Sequence, residues 1–156
     1  MTRLDDTRPF IPLRIAILTM SDTRTAAEDK SGDALAEMIT ADGHTVAART
    51  LVKDDAEAIR AQVAAWIADA EVDVVLTTGG TGFTGRDVTP EAVRPLFEKE
   101  IDGFSVLFHQ ISFQSVGTST IQSRACGGIA RGTLIFCLPG STGACRDAWN
   151  GILKWQ

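Results

Sequence analysis

Thr78-Gly79-Gly80-Thr81-Gly82, followed by Gly85-Arg86-Asp87-Val88-Thr89-Pro90-Glu91, places four glycines, one arginine and one aspartate between an apolar run and a helix start. Glycines let backbone N–H groups come close to an anion. An aspartate beside them meets a phosphate most naturally through Mg2+, because a carboxylate plus substrate phosphates is the usual magnesium environment. The stretch predicts an anion-binding loop with a carboxylate, Asp87, built in; a plain strand-to-helix turn in which Asp87 caps a neighbour is the competing reading. Two familiar loops do not fit. Gly80, Gly82 and Gly85 match G-x-G-x-x-G, but Arg86-Asp87 then set a negative charge where a pyrophosphate would lie. Gly80 and Gly85 also have the outer spacing of a P-loop, yet Arg86 and Asp87 stand where Lys and Ser/Thr belong, which disfavours a nucleotide hydrolase of that kind.

Other polar groups fall at places where parallel strands end. Residues 14–22 begin as an apolar strand and finish with Thr19, Ser21 and Asp22 at the carboxyl end. Asp54 or Asp55 follows a second strand and either caps the next helix or faces the site. Ser21, one of that aspartate pair, and Asp87 can therefore converge, and two aspartates at one cleft suit a divalent metal or an acid and base. Residues 118–125, with Ser119, Ser123 and Arg124, are suited to hydrogen bonding a polar ring or phosphate, and equally to a solvated turn. Pro139-Gly140-Ser141-Thr142 forms a second strand-end turn with exposed backbone N–H groups, where Ser141 or Thr142 caps a last helix.

The elements that must carry these groups alternate. Ser31 is the expected cap of a helix over 32–41 with an apolar stripe of Leu35, Met38 and Ile39, and Gly43 stops it. A strand over 44–52 precedes a helix over 56–70, in which Ile59, Val63, Trp66 and Ile67 recur at the helical period. A third strand over 72–77 delivers the glycine loop, after which Thr89 is a cap and Pro90 the first helical position. Strand and helix in alternation imply an α/β fold of three layers, a mostly parallel sheet with helices on both faces and ligands beyond its carboxyl ends. A hairpin marked by Gly127-Gly128 and Gly132 precedes a strand over 133–138. In the helix over 103–116, Phe104, Leu107, Phe108 and Ile111 form one face while Val106 and Phe113 point the other way, which predicts a subunit contact.

Bulk properties narrow the partners. The chain of 156 residues suits one domain, read as an N-terminal extension over 1–13 and a single domain over 14–156. A net charge of −5 argues against nucleic acid or an anionic membrane surface as a partner. No apolar run approaches the roughly 18 residues of a membrane span and the start lacks a signal-like apolar core, so a cytoplasmic protein is expected. Cys126, Cys137 and Cys145 lack C-x-x-C spacing and read as buried thiols, and His44 and His109 as structural.

The motifs just quoted, together with Leu18-Thr19-Met20-Ser21-Asp22, Ser31-Gly32 and Gln122-Ser123-Arg124, occur in one order over nearly the whole chain. In that combination the sequence resembles the MoaB/MogA family of molybdenum-cofactor biosynthesis proteins. The resemblance implies a molybdopterin-binding domain, homo-oligomers (trimer or hexamer), and contacts with molybdopterin and with other proteins of the pathway. In active relatives the glycine loop and an aspartate of the Arg-Asp-Val-Thr-Pro motif help transfer AMP from Mg-ATP to the molybdopterin phosphate. That aspartate corresponds to Asp87, a second family aspartate to Asp54, and the serine of the Ser-Arg motif to Ser123. Thus Asp87 and Asp54 are the expected catalytic and Mg2+-holding pair. Thr19, Ser21, Asp22, Gly79, Gly80, Thr81, Gly82, Ser119, Ser123, Arg124, Pro139, Gly140 and Ser141 are the expected contacts to molybdopterin and to ATP or another nucleotide. Lys53 stands where active relatives often have proline, and Ser141-Thr142 replaces an Asn-Pro pair, as in the MoaB branch. The alternative is a non-catalytic molybdopterin- or nucleotide-binding module of the same pathway.

Overall fold

The structure, a computed structural model, describes residues 5–156, so the first four residues of the expected N-terminal extension lie outside the described residues. A six-stranded sheet has the order β2-β1-β3-β6-β5-β4, where β1 is Arg14–Met20, β2 Thr45–Val52, β3 Val74–Thr78, β4 Lys99–Glu100, β5 Cys126–Ala130 and β6 Thr133–Leu138. The first four in that order run parallel; β5 is antiparallel to β6, and β4 to β5. The α/β fold with a mostly parallel sheet is therefore as the alternation predicts.

Alternation of side chains along each strand divides the core into two layers. Ile15, Ile17, Leu76, Phe136 and Leu138 face one side with Leu35 and Ile39 of α1 (Lys30–Ala41), Phe104 and Phe108 of α4 (Asp102–Val116), and Trp149 of α5 (Thr142–Gly151). Ala16, Leu18, Val75 and Cys137 face the other side with Ile59, Val63 and Trp66 of α2 (Ala56–Ala68) and Ala92 and Val93 of α3 (Thr89–Val93). Each fully buried large side chain, Phe108 among them, contributes about 1.5–3 kcal/mol. All three cysteines are buried free thiols, and among the described residues no helix is long and apolar enough to cross a membrane.

Helix starts differ from the sequence expectation in ways that bear on the site. The cap of α1 is Asp29, not Ser31: the Asp29 carboxylate accepts from the Gly32 amide at 3.1 Å, and as an anion it is the stronger acceptor. Asp55 caps α2 through the Ala58 amide at 2.9 Å, which leaves the Asp54 carboxylate free of that role. In α3 the cap position belongs to Val88 and Pro90 follows Thr89 as the second helical residue. The Thr89 hydroxyl instead donates to the Gly79 carbonyl at 2.9 Å, which pins the helix start to the glycine loop. α2 ends at Ala68, short of the expected residue 70. Along α4, Phe104, Phe108 and Ser112 are buried, whereas Leu107, expected beside them, joins Val106, Phe113 and Val116 as exposed apolar surface. The reason is that α4 turns only a narrow stripe to the sheet, and Leu107 falls on its margin.

Candidate functional site

The neighbouring strands β1, β3 and β6 end side by side, and the loops that follow them enclose a cleft of about 580 Å³. The loop after β1 supplies Ser21, Asp22, Thr23 and Arg24; that after β3 supplies Gly79 to Gly82, Arg86 and Asp87; that after β6 supplies Pro139 and Gly140. Asp54 comes from the end of β2, and Gln122 and Ser123 from the turn that follows α4.

Close backbone packing explains the glycines. Gly79 has φ +107° and a Cβ there would lie 2.7 Å from the Met20 carbonyl oxygen. Gly80 has φ +70° and a Cβ would lie 2.2 Å from the Thr89 hydroxyl. Both conformations favour glycine. A Cβ on Gly140 would come within 3.2 Å of the Gly79 Cα, so the turns after β3 and β6 abut. Among the described residues, the amides of Gly80, Thr81 and Gly82 donate to no protein acceptor, and all three residues line the cleft. Successive free N–H groups in a concavity suit an anion.

Three carboxylates sit among these amides. Asp87 accepts from the Thr84 amide at 3.0 Å and the Thr84 hydroxyl at 2.8 Å, an arrangement that closes the glycine loop on itself. Asp22 accepts from the Asp54 amide at 3.1 Å and forms an ion pair with Arg86. Burial, and then the charge of Asp87, push the Asp54 carboxyl above its usual range. A cation between Asp54 and Asp87 would oppose both effects. The pair therefore fits a hard divalent ion.

Of the residues singled out in the sequence, Ser21, Asp22, Asp54, Gly79, Gly80, Thr81, Gly82, Asp87, Ser123, Pro139 and Gly140 are brought together in the cleft. Four have other surroundings. Thr19 is fully buried and donates to the Asp29 carboxylate at 2.8 Å. Ser141 caps α5 by accepting from the Ala144 amide at 3.1 Å. Ser119 is exposed on the short turn Gly117–Gln122. Arg124 grips loop carbonyls behind the cleft. The cleft also contains Arg24, Arg86 and Gln122, which sequence reasoning did not assign to it. Arg86 had a signal, since it lies inside the same motif as Asp87; Arg24 had only its place shortly after a strand end. His109 lies with its ring nitrogens against the carbonyls of Ser105 and Ser123, so it holds the Ser123 turn to α4.

Comparison with known proteins gives a consistent result. The family described as a probable molybdopterin binding domain matches residues 16–155. A molybdenum cofactor biosynthesis protein B from Escherichia coli is 54% identical over 147 residues, covering 94% of this chain and 86% of that relative. A crystal structure of a molybdenum cofactor biosynthesis protein B matches with a TM-score of 0.91 at 47% identity, over 94% of this chain and 92% of the other. The tungsten cofactor synthesizing protein MoaB of Pyrococcus furiosus matches with a TM-score of 0.81 at 36% identity, over 90% of both chains.

Proposed function

The chain belongs to the probable molybdopterin binding domain family, and on that premise we propose that it acts in molybdenum cofactor biosynthesis, binding molybdopterin and ATP in the cleft and transferring AMP to the molybdopterin phosphate. The observation that carries this reading is the placement of Asp54 and Asp87 in one cleft with the free amides of the glycine loop.

A phosphate oxygen of molybdopterin attacks the α-phosphorus of ATP, the bond to the β-phosphate breaks, and pyrophosphate leaves with the electron pair. The reaction needs no nucleophilic side chain, so the protein contributes position and charge. The amides of Gly80, Thr81 and Gly82 hold phosphate oxygens, and Arg86 and Arg24 offset charge at the cleft rim. Asp54 and Asp87 would hold Mg2+, which supplies a Lewis acid for the phosphate oxygens. Among the described residues no cluster of three or more His, Cys, Asp or Glu side chains could hold a metal ion, so the two aspartates are the side chains assigned to it. Ser123, fixed through its carbonyl to His109, is the pterin contact at the other wall.

A second reading, binding of molybdopterin or a nucleotide without transfer, draws on the turn after β6. With Ser141 engaged as a helix cap, Pro139 and Gly140 are the residues this turn presents to the cleft. Incubation of the protein with molybdopterin, MgCl2 and ATP separates the two. Adenylylated molybdopterin and pyrophosphate in equal amounts support the transferase; bound molybdopterin with neither product supports the module. We assign the exposed apolar residues of α4 to contacts between copies of the chain in a trimer or hexamer, and the cytoplasm as the compartment.

A further inference from the structure

We propose that Arg124 is a positioning residue, which holds the glycine loop from behind in the shape that sets Asp87 near Asp54 and turns loop amides into the cleft. The Arg124 Nε donates to the carbonyls of Thr81 at 3.2 Å and Gly82 at 2.9 Å, and Nη2 donates to the Asp87 carbonyl at 3.0 Å. Its backbone amide donates to the Thr81 carbonyl as well, at 3.1 Å. Nη1 and Nη2 meet the two oxygens of Glu91, at the start of the next helix. One guanidinium thus ties both ends of the loop and the helix that leaves it, with no cleft-facing position of its own.

Peptide geometry links this grip to the site. In a trans peptide the carbonyl and the following N–H point in opposite directions. Drawing the Thr81 carbonyl toward Arg124 therefore turns the Gly82 amide to the other side, where Gly82 lines the cleft. Holding the Asp87 carbonyl likewise fixes the backbone from which the Asp87 carboxylate projects. The anchor is itself ionic: the hydrogen bond from Arg124 holds the Glu91 carboxyl below its usual range. A lysine cannot reproduce the planar fork, because its ammonium is a single point that cannot serve Thr81, Gly82, Asp87 and Glu91 together.

Arg124→Lys keeps the charge and removes the fork, so its effects report geometry. Two measurements on the full chain test the role: hydrogen exchange at the Thr84 amide, which donates to the Asp87 carboxylate, and the kinetics of adenylyl transfer. The second rests on the proposed function; the first does not. The expected result is exchange at Thr84 that is at least about tenfold faster. Transfer should lose about tenfold to a hundredfold in kcat with KM for ATP and molybdopterin changed less than about threefold. Glu91→Gln, which loosens the anchor and leaves Arg124 in place, should show the same pattern in weaker form if the lysine variant does not fold. Unchanged exchange at Thr84, or a KM raised tenfold with kcat intact, would overturn the proposal by showing that Arg124 meets the substrate or does not shape the loop. Absence of transfer in the unaltered protein would sink the transferase reading alone, since the exchange still decides the role of Arg124.

Discussion

Asp54 and Asp87 line one cleft, and burial, with the negative charge of Asp87 added to it, raises the pH at which the Asp54 carboxyl ionises. Two acids in one cleft thus strain the protein when both are charged, and a cation bound between them would relieve that strain. The sign follows from linkage. A carboxyl whose folded pKa lies above its usual value of 3.8 favours folding at low pH, and that contribution is lost as pH rises through the folded pKa. At pH 7, Asp54→Asn should therefore raise the melting temperature in the absence of Mg2+, and the gain should vanish at pH 3. MgCl2 should stabilise the unaltered protein more than the variant. Calorimetry at both pH values, with and without MgCl2, checks this; a variant less stable at pH 7 than at pH 3 relative to the parent would contradict it.

Asp87→Asn should leave the fold intact, since the amide oxygen can still accept from Thr84, and should reduce adenylyl transfer by about two orders of magnitude or more, the scale of losing a charge-stabilising group. Pyrophosphate release is the readout. Undiminished turnover would remove Asp87 from the mechanism.

Two glycines of the same loop should behave oppositely. Gly80→Ala forces a side chain into a left-handed backbone and against Thr89, and should cost on the order of 1–3 kcal/mol along with ligand affinity. At Gly85 a Cβ meets nothing within 4 Å, and Gly85→Ala should stay within about 0.5 kcal/mol of the parent. Urea denaturation of the two variants makes the comparison.

Thr19 marks a division between support and site. Thr19→Val removes the hydroxyl donor to the buried Asp29 carboxylate, which also pairs with Arg49, and should cost about 1.5–3 kcal/mol. Its effect on nucleotide affinity, measured by isothermal titration, should be negligible. A large loss of affinity without a loss of stability would return Thr19 to the site.

Charges on α4 test the contact between copies. Val106→Glu together with Phe113→Glu should reduce the mass measured by light scattering to that of one chain, with circular dichroism unchanged, because both side chains are already exposed in the single chain. A parent protein that is itself monomeric would refute the interface.

The strands and most helices were legible because their signals are local. Ile15 and Ile17 alternate with Ala16 and Leu18, and that alternation is the division of the core. The cleft was legible where residues follow strand ends, as Asp22, Asp54 and Asp87 do. What escaped depended on which partner a polar side chain takes once the chain is folded. Thr19 has the same polar look as Ser21, but its side chain turns inward to Asp29, ten residues on. Arg124 has the composition of a phosphate ligand, and its partners are carbonyls of a loop 42 or 43 residues earlier. Ser31 looked like a cap because serine is a good one, and lost the position to the stronger acceptor two residues before it.

The contact of Gly140 with Gly79 makes the two inner turns an anvil. Their backbones already meet so closely that one added methyl group would press on the Gly79 Cα at 3.2 Å, and they have no room to approach further around a ligand. The segment from Ser21 to Arg24 lines the same cleft and is held by the Val52 carbonyl, by the Asp54 amide and by the ion pair of Asp22 with Arg86. A ligand phosphate that draws Arg86 to itself would leave Asp22 to the Asp54 amide, so a ligand is seated against a wall that is already built.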